Sequence, residues 1–169
     1  MRKIFVTIFC VFPSLCFAEP TVMRIPDQGW QITFDAPVVT KVKETNSQTQ
    51  YYFSGNSDRF NLSLTVETPS CPGESLEDNY KCILQKIESI PGVVRQSISA
   101  EKRPTNIQVS YIIYAPVGGR AIKVMNTHVL FAHKARWGDL HASVVTPTMQ
   151  EVAMLLGLGD RFAYSDSPP

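Results

Sequence analysis

Residues 60–92, FNLSLTVETPSCPGESLEDNYKCILQKIESIPG, place a strand pattern directly before a helix pattern. Apolar and polar side chains alternate over the first eight residues, which is typical of a strand with one buried face. Ser75 then occupies a helix N-cap position, Asp78 follows as the reciprocal capping group, and Pro91-Gly92 ends the segment. The predicted helix is amphipathic, because its apolar residues fall on one stripe. They are Leu76, Tyr80, Ile83, Leu84, Ile87 and Ile90.

Further strand patterns lie on both sides of this helix. The predicted strands are 30–34, 50–54, 60–67, a short run near 93–99, 107–114, 120–133 and 137–145. A second helix is expected to begin near Thr148, with Glu151 in the capping-box position, and to stop at Gly157. The sequence therefore predicts an α+β domain, with a mostly antiparallel sheet of about six to seven strands, one central amphipathic helix and a C-terminal helix.

The first 18 residues have the order of a cleavable secretory signal. Arg2 and Lys3 precede the apolar run 4–12, Pro13 interrupts it, and Ala18 offers a small residue at the cleavage point. The run is about half the length that a membrane helix needs, so we expect cleavage and no membrane anchor. The expected organisation is a signal peptide over 1–18, one domain over 19–164 and a disordered tail over 165–169. The expected location is the periplasm of a Gram-negative bacterium, or the exterior.

Cleavage leaves two cysteines, Cys71 and Cys82. An even pair in an exported domain suggests a disulfide, and two buried free thiols are the alternative. Cys82 lies off the apolar stripe of the first helix, where a thiol is poorly explained as core filling. It is well placed to meet a cysteine in the loop that precedes the helix. We therefore predict a bridge between Cys71 and Cys82.

The charge balance argues against a nucleic-acid partner. Without residues 1–18 the chain has 14 basic and 15 acidic residues, scattered among one another. Nucleic-acid binding needs a basic stripe that neutralises phosphates. Gly118-Gly119 has neither the spacing nor the following Lys-Ser or Lys-Thr of a phosphate loop, and we expect no cofactor. These observations favour a non-enzymatic protein that binds a protein or a small ligand in the cell envelope.

All three histidines lie in the predicted hairpin of strands 120–133 and 137–145. If Lys134-Ala135 is a two-residue turn, His128 lies opposite His141, and a shift by one residue would separate them. The first register gathers polar residues on one face: Asn126, His128, Asp139, His141 and Ser143. The simplest interpretation is a polar sheet face. The alternatives are an open metal site of His128, His141 and Asp139 in a metal-binding protein or metal-assisted hydrolase, or a hydrolytic Ser143 with His128 and Asp139.

Aromatic side chains supply a second candidate surface. Tyr51, Tyr52 and Phe53 are consecutive on a strand, so they cannot all point inward. Either Tyr52, or Tyr51 together with Phe53, must face a helix, a partner or solvent, which makes this side chain a candidate binding residue. Trp137 is a further aromatic of the same set, and we expect it to pack in the core or across strands unless it joins the binding surface.

The order of elements resembles the PsbP-like fold over most of residues 28–162. The residues behind the resemblance are NTHVLF at 126–131, WGDLHAS at 137–143 and a terminal helix that ends at Leu155-Leu156. That superfamily includes a photosystem II accessory subunit, a Ran-binding nuclear import factor and bacterial exported proteins. The resemblance implies a non-enzymatic binding or accessory role, because the superfamily shares no catalytic apparatus. The cysteine pair is a departure from it, and the chloroplast context of the plant subunit is absent.

Overall fold

The computed structural model describes residues 20–166, so the predicted signal peptide lies outside the described residues. The domain is α+β, as predicted. Its strands are β1 (Thr21–Ile25), β2 (Trp30–Phe34), β3 (Thr40–Asn46), β4 (Gln50–Ser57), β5 (Phe60–Glu67), β6 (Ser99–Lys102), β7 (Ile107–Val117), β8 (Arg120–His133), β9 (Arg136–Val145) and β10 (Ala163–Asp166). Its helices are α1 (Leu76–Glu88) and α2 (Met149–Leu156). Among residues 20–166, no helix is long and apolar enough to cross a membrane.

Seven strands form the main sheet in the order β3-β4-β5-β9-β8-β7-β6, and every neighbouring pair is antiparallel. A second sheet of order β1-β2-β10 joins the two ends of the described chain. The sequence did not predict this second sheet. Ser165 and Asp166, expected in a disordered tail, pair with Gln31 and Trp30. The predicted tail therefore starts too early, and residues 167–169 lie outside the described part of the chain.

The main core fills the space between the two sheets. Trp30, Ile32 and Phe34 of β2 are completely buried, and they belong to one apolar cluster with side chains of β5, β8, β9 and α2. A smaller cluster lies on the opposite face of the main sheet, where Ile87 of α1 packs with Val109 and Leu130. The molecule thus has three layers, with α1 on one side of the main sheet and the small sheet with α2 on the other.

Both predicted capping boxes are present. The Ser75 hydroxyl accepts from the Asp78 N–H, and the Asp78 carboxylate accepts from the Ser75 N–H. Thr148 and Glu151 make the same reciprocal pair at the start of α2. These caps satisfy backbone donors that a helix start otherwise leaves without partners, which explains why local sequence specifies both starts.

The disulfide between Cys71 and Cys82 is confirmed. It ties the loop before α1 to the middle of the helix, across 11 residues of sequence. Cys82 is buried although it lies off the predicted apolar stripe of α1.

The short strand predicted near 93–99 is wrong in its position. Arg95–Ser97 form a single 3₁₀ turn, and β6 begins only at Ser99. Val93 and Val94 pair with β7 only through an isolated bridge to Ile113 and one backbone hydrogen bond to Ile112. The Ser97 hydroxyl donates to the Val94 carbonyl and accepts from the Ile112 N–H. Serine competes with ladder pairing in this way wherever its hydroxyl reaches nearby backbone.

Candidate functional site

The turn between β8 and β9 sets the register of the polar hairpin. Lys134 and Ala135 both have positive φ, 48° and 57°, which is the backbone of a two-residue type I′ turn. His128 pairs with His141 and Asn126 pairs with Ser143, so the hairpin has the register that a two-residue turn gives and not the register shifted by one residue. These residues lie on the face of the main sheet that carries α1, whereas His133 contacts Trp30 and Tyr164 on the opposite side.

Three rings stack across β7, β8 and β9 on this face. The ring centroids of His128 and His141 are 4.2 Å apart and their planes differ by 7°. Tyr111 continues the stack on the other side of His128, at 5.7 Å and 10°. Antiparallel strands bring such cross-strand neighbours within ring contact. The stack holds the imidazole of His128 between two flat surfaces.

Hydrogen bonds fix the His128 ring at both nitrogens. Nδ1 donates to the Asp139 carboxylate, with distances of 2.9 and 3.0 Å to its two oxygens, and Nε2 lies 3.2 Å from the Tyr111 hydroxyl. Burial favours a neutral Asp139, but the charge and hydrogen bond of His128 outweigh burial and lower its pKa. Burial, with the nearby charge of Asp139, raises the pKa of Tyr111 to about 12. At neutral pH Asp139 is therefore an anion and Tyr111 a neutral phenol.

His141 is held in its neutral form. Its Nε2 donates to Asn126 Oδ1 at 3.1 Å. Burial lowers the pKa of His141 to about 3, and the adjacent His128 ring acts in the same direction, against the opposing effect of Asp139. A neutral ring packs against His128 without charge repulsion, which is compatible with a face-to-face separation of 4.2 Å.

A polar pocket of about 240 Å³ lies beside this network, between α1 and strands β4, β5 and β9. Its charged lining groups are the carboxylates of Asp139 and Glu67 and the ammonium of Lys86 on α1. The Glu67 carboxylate is fixed by hydrogen bonds from Gln50 at 3.2 Å and Ser70 at 3.0 Å. Lys86 is one of the positive charges that lower the pKa of Asp139. The pocket therefore presents fixed anions from the strands and a cation from the helix.

Asn79 fixes the position of α1 above the pocket. The side chain is 2% exposed and its amide donates to the carbonyls of Phe131, at 3.1 Å, and Gly138, at 3.0 Å. The Phe131 ring packs directly against Gly138 and fills the space that a β-carbon at position 138 would need. The two hydrogen bonds of Asn79 therefore fix the distance between α1 and strands β8 and β9, beside the pocket.

The predicted site residues do not all meet in this pocket. Asp139 and Trp137 line it, whereas His128 and His141 belong to the adjoining ring stack and Asn126 accepts a hydrogen bond from His141. Tyr52, rather than Tyr51 with Phe53, is the aromatic on this face, since Tyr51 is buried in the main core. Tyr52 is partly exposed and pairs with the pocket residue Thr65. Its ring centroid lies 5.7 Å from Lys43 Nζ.

The histidines assemble neither the suggested metal site nor the suggested Ser143 triad. Among residues 20–166, no group of three His, Cys, Asp or Glu side chains is arranged to hold a metal ion. The two imidazoles stack instead of converging. Two members of the suggested triad, His128 and Asp139, are hydrogen-bonded, but Tyr111 rather than Ser143 contacts the second nitrogen of His128. The register explains this, because Ser143 lies opposite Asn126.

Sequence reasoning missed Asn79, Lys86, Thr65, Glu67 and Tyr111. Asn79 and Lys86 are seven residues apart, which places them on the same side of a helix, beside the apolar stripe. That spacing is ordinary for a polar helix face and would not have distinguished them. Tyr111 falls at the same every-second position of β7 as Ile107 and Val109, so the pattern indicated a core residue.

Comparison with known proteins gives a likeness of fold alone. No family model matches the chain, and no curated protein matches it. The crystal structure of the Ran-binding protein Mog1p from Saccharomyces cerevisiae is similar over 86% of this chain and 95% of that one, with 12% identity and a TM-score of 0.47. That level of similarity transfers neither a partner nor a residue role to this chain.

Proposed function

We propose that this chain is an exported, non-enzymatic binding protein of the periplasm, and that the pocket between α1, β5 and β9 binds a small polar ligand. The main support for this proposal is the ionised state of the Asp139 carboxylate. Its carboxylate lines the pocket, is held by His128 Nδ1 and stays ionised. Because this anion is already fixed in place, less side-chain entropy is lost when a ligand binds.

The hydrogen bonds of His128 favour binding over proton transfer. Nδ1 is engaged with the Asp139 carboxylate, and the other ring nitrogen, Nε2, meets the Tyr111 hydroxyl. Tyr111 is 4% exposed and is not one of the residues that line the pocket. General base catalysis needs a basic atom within hydrogen-bond reach of the substrate. The Asp139–His128–Tyr111 chain is better explained as a support for the carboxylate.

The leader pattern and the disulfide support export. Structural disulfides form in oxidising compartments such as the periplasm. The resemblance to the PsbP-like superfamily also favours a binding or accessory role. Mass spectrometry of the protein recovered from the cell envelope tests this part. We expect a mature chain that starts at Glu19 and has no free thiol before reduction, and a chain that retains Met1 would contradict export.

Binding is tested by ¹H–¹⁵N NMR of the mature protein with the low-molecular-mass fraction of an envelope extract. The chain has two tryptophans, so the indole signal of Trp137, on the pocket wall, is readily identified. We expect shifts at Trp137 and Asp139. Lys86→Ala should abolish them, whereas Lys81→Ala, an equal charge change at an exposed position of the same helix, should not.

Two results would refute the proposal. If the extract leaves the signals of Trp137 and Asp139 unchanged, the pocket is not a ligand site. If the protein converts a component of the extract into a product, and Asp139→Asn abolishes that turnover, the protein is an enzyme and the non-enzymatic assignment is wrong.

A further inference from the structure

The hairpin of β7 and β8 extends beyond the rest of the main sheet as an arm, residues 115–122. β9 pairs with β8 only as far as Val124, and the Thr146 N–H makes a last hydrogen bond to the Lys123 carbonyl. On the other edge, the Tyr114 N–H donates to the Gly92 carbonyl, and beyond it no strand of residues 20–166 pairs with the arm. Three residue pairs and a Gly118-Gly119 turn therefore project by roughly 10 Å, at about 3.3 Å per residue.

The arm has an unusual composition for a projecting turn. Its sequence is APVGGRAI, in which Arg120 is the one residue with a polar side chain. Val117, next to the turn, is 60% exposed. Exposed turns normally carry polar side chains. A projecting apolar tip therefore indicates a surface that is buried when the protein binds its partner.

Positive charge accompanies these apolar residues. Arg120 lies at the tip and Lys123 at the base, where it pairs with Tyr114, which is 48% exposed. No acidic residue occurs between Glu101 and Asp139. Neither Arg120 nor Lys123 makes an ion pair or a side-chain hydrogen bond with residues 20–166. Over the same residues, 14 basic and 14 acidic side chains give no net charge. The positive potential of the arm is therefore local and is not the result of net charge.

We propose that the arm inserts tip-first into the interface of an anionic phospholipid bilayer. Interfacial segments bury apolar residues about 5–10 Å deep, which corresponds to the length of the arm. Tyr114 and Lys123 then lie at headgroup depth, where tyrosine and basic residues are favoured, and the long Arg120 side chain extends back toward phosphate.

Two features favour lipid over an acidic protein segment. Seven of the eight arm residues offer no side-chain hydrogen bond to a protein partner. Pro116 has no N–H, so this part of the edge lacks a donor for an added strand. The surface is thus suited to insertion of side chains into an apolar medium that is bordered by negative charge.

The test is co-sedimentation of the mature protein with vesicles. One set contains phosphatidylcholine alone, and the other contains phosphatidylcholine with phosphatidylglycerol. We expect binding to the anionic vesicles and weak binding to the neutral ones. Each cation near an anionic surface contributes roughly fivefold to affinity, so Arg120→Gln with Lys123→Gln should weaken binding about 25-fold. Arg24→Gln with Lys81→Gln removes the same charge from exposed positions elsewhere and should leave binding within about twofold.

Three outcomes would overturn the proposal. They are equal binding to both kinds of vesicle, no binding to the anionic ones, and equal losses in the two double variants. Poly-L-glutamate separates lipid from an acidic protein partner. We expect vesicle binding to persist when this polymer is present at matched negative charge, because it offers no apolar phase. Complete displacement by the polymer would assign the arm to an acidic protein and refute the lipid assignment.

Discussion

Acidification should destabilise this domain through His141. The folded protein keeps this ring neutral, because burial lowers its pKa to about 3, whereas the unfolded chain binds a proton near the ordinary value of 6.5. Between these two values the unfolded state holds a proton that the folded state excludes. The stabilisation is therefore complete above pH 6.5 and is lost as the pH falls toward 3.

The magnitude follows from linkage between proton binding and unfolding. At pH 5 the unfolded ring is about 1.5 pH units below its pKa, and 1.36 kcal/mol per unit gives a loss of about 2 kcal/mol from His141. A folded pKa of about 3 leaves the native ring neutral at pH 5, so the unfolded pKa sets this figure. In a domain with a stability of about 5–15 kcal/mol, such a loss is readily measured.

The assay is urea unfolding at pH 7.5 and pH 5.0, with the disulfide intact. His141→Gln keeps an amide donor near Asn126 and removes the titrating group, so its loss of stability on acidification should be smaller than that of wild type by about 2 kcal/mol. His133, whose pKa burial also lowers, provides the matched control: His133→Gln should keep the His141 contribution. Equal pH dependence in wild type and His141→Gln would refute the reasoning.

Three further variants test the packing around the site. Replacing Cys71 and Cys82 by alanine should lower the free energy of unfolding by about 3 kcal/mol, measured by urea unfolding against the oxidised wild type, and reductant should destabilise only the wild type. Asn79→Ala leaves two buried carbonyls without their side-chain donor and should cost about 1–3 kcal/mol, whereas a cost near zero would contradict its role in holding α1. Gly138→Ala forces a β-carbon against the buried Phe131 ring and should lower stability by about 1–3 kcal/mol, observed as a lower melting temperature; an unchanged value would show that the ring can move.

Local signals in the sequence determined the two helices, the polar hairpin and the disulfide. Capping boxes, the two-residue turn at Lys134-Ala135 and the short separation of Cys71 from Cys82 each involve residues close in sequence. Their geometry depends mainly on backbone dihedral angles and on the reach of side chains that are close in sequence. The sequence therefore named the polar residues that share a face if the turn has two residues, but it left the register of the hairpin open.

Tertiary structure alone decided the second sheet, the pocket and the partner of His128. β1 and β10 pair with β2 from opposite ends of the described chain, and short edge strands have no periodicity long enough to predict that pairing. The pocket depends on the height of α1, which the Asn79 hydrogen bonds set. Tyr111 reaches His128 because β7 pairs with β8 in one register, and that register brings together residues 17 apart in sequence. Contacts of this kind depend on packed elements, so no local pattern in the chain specifies them.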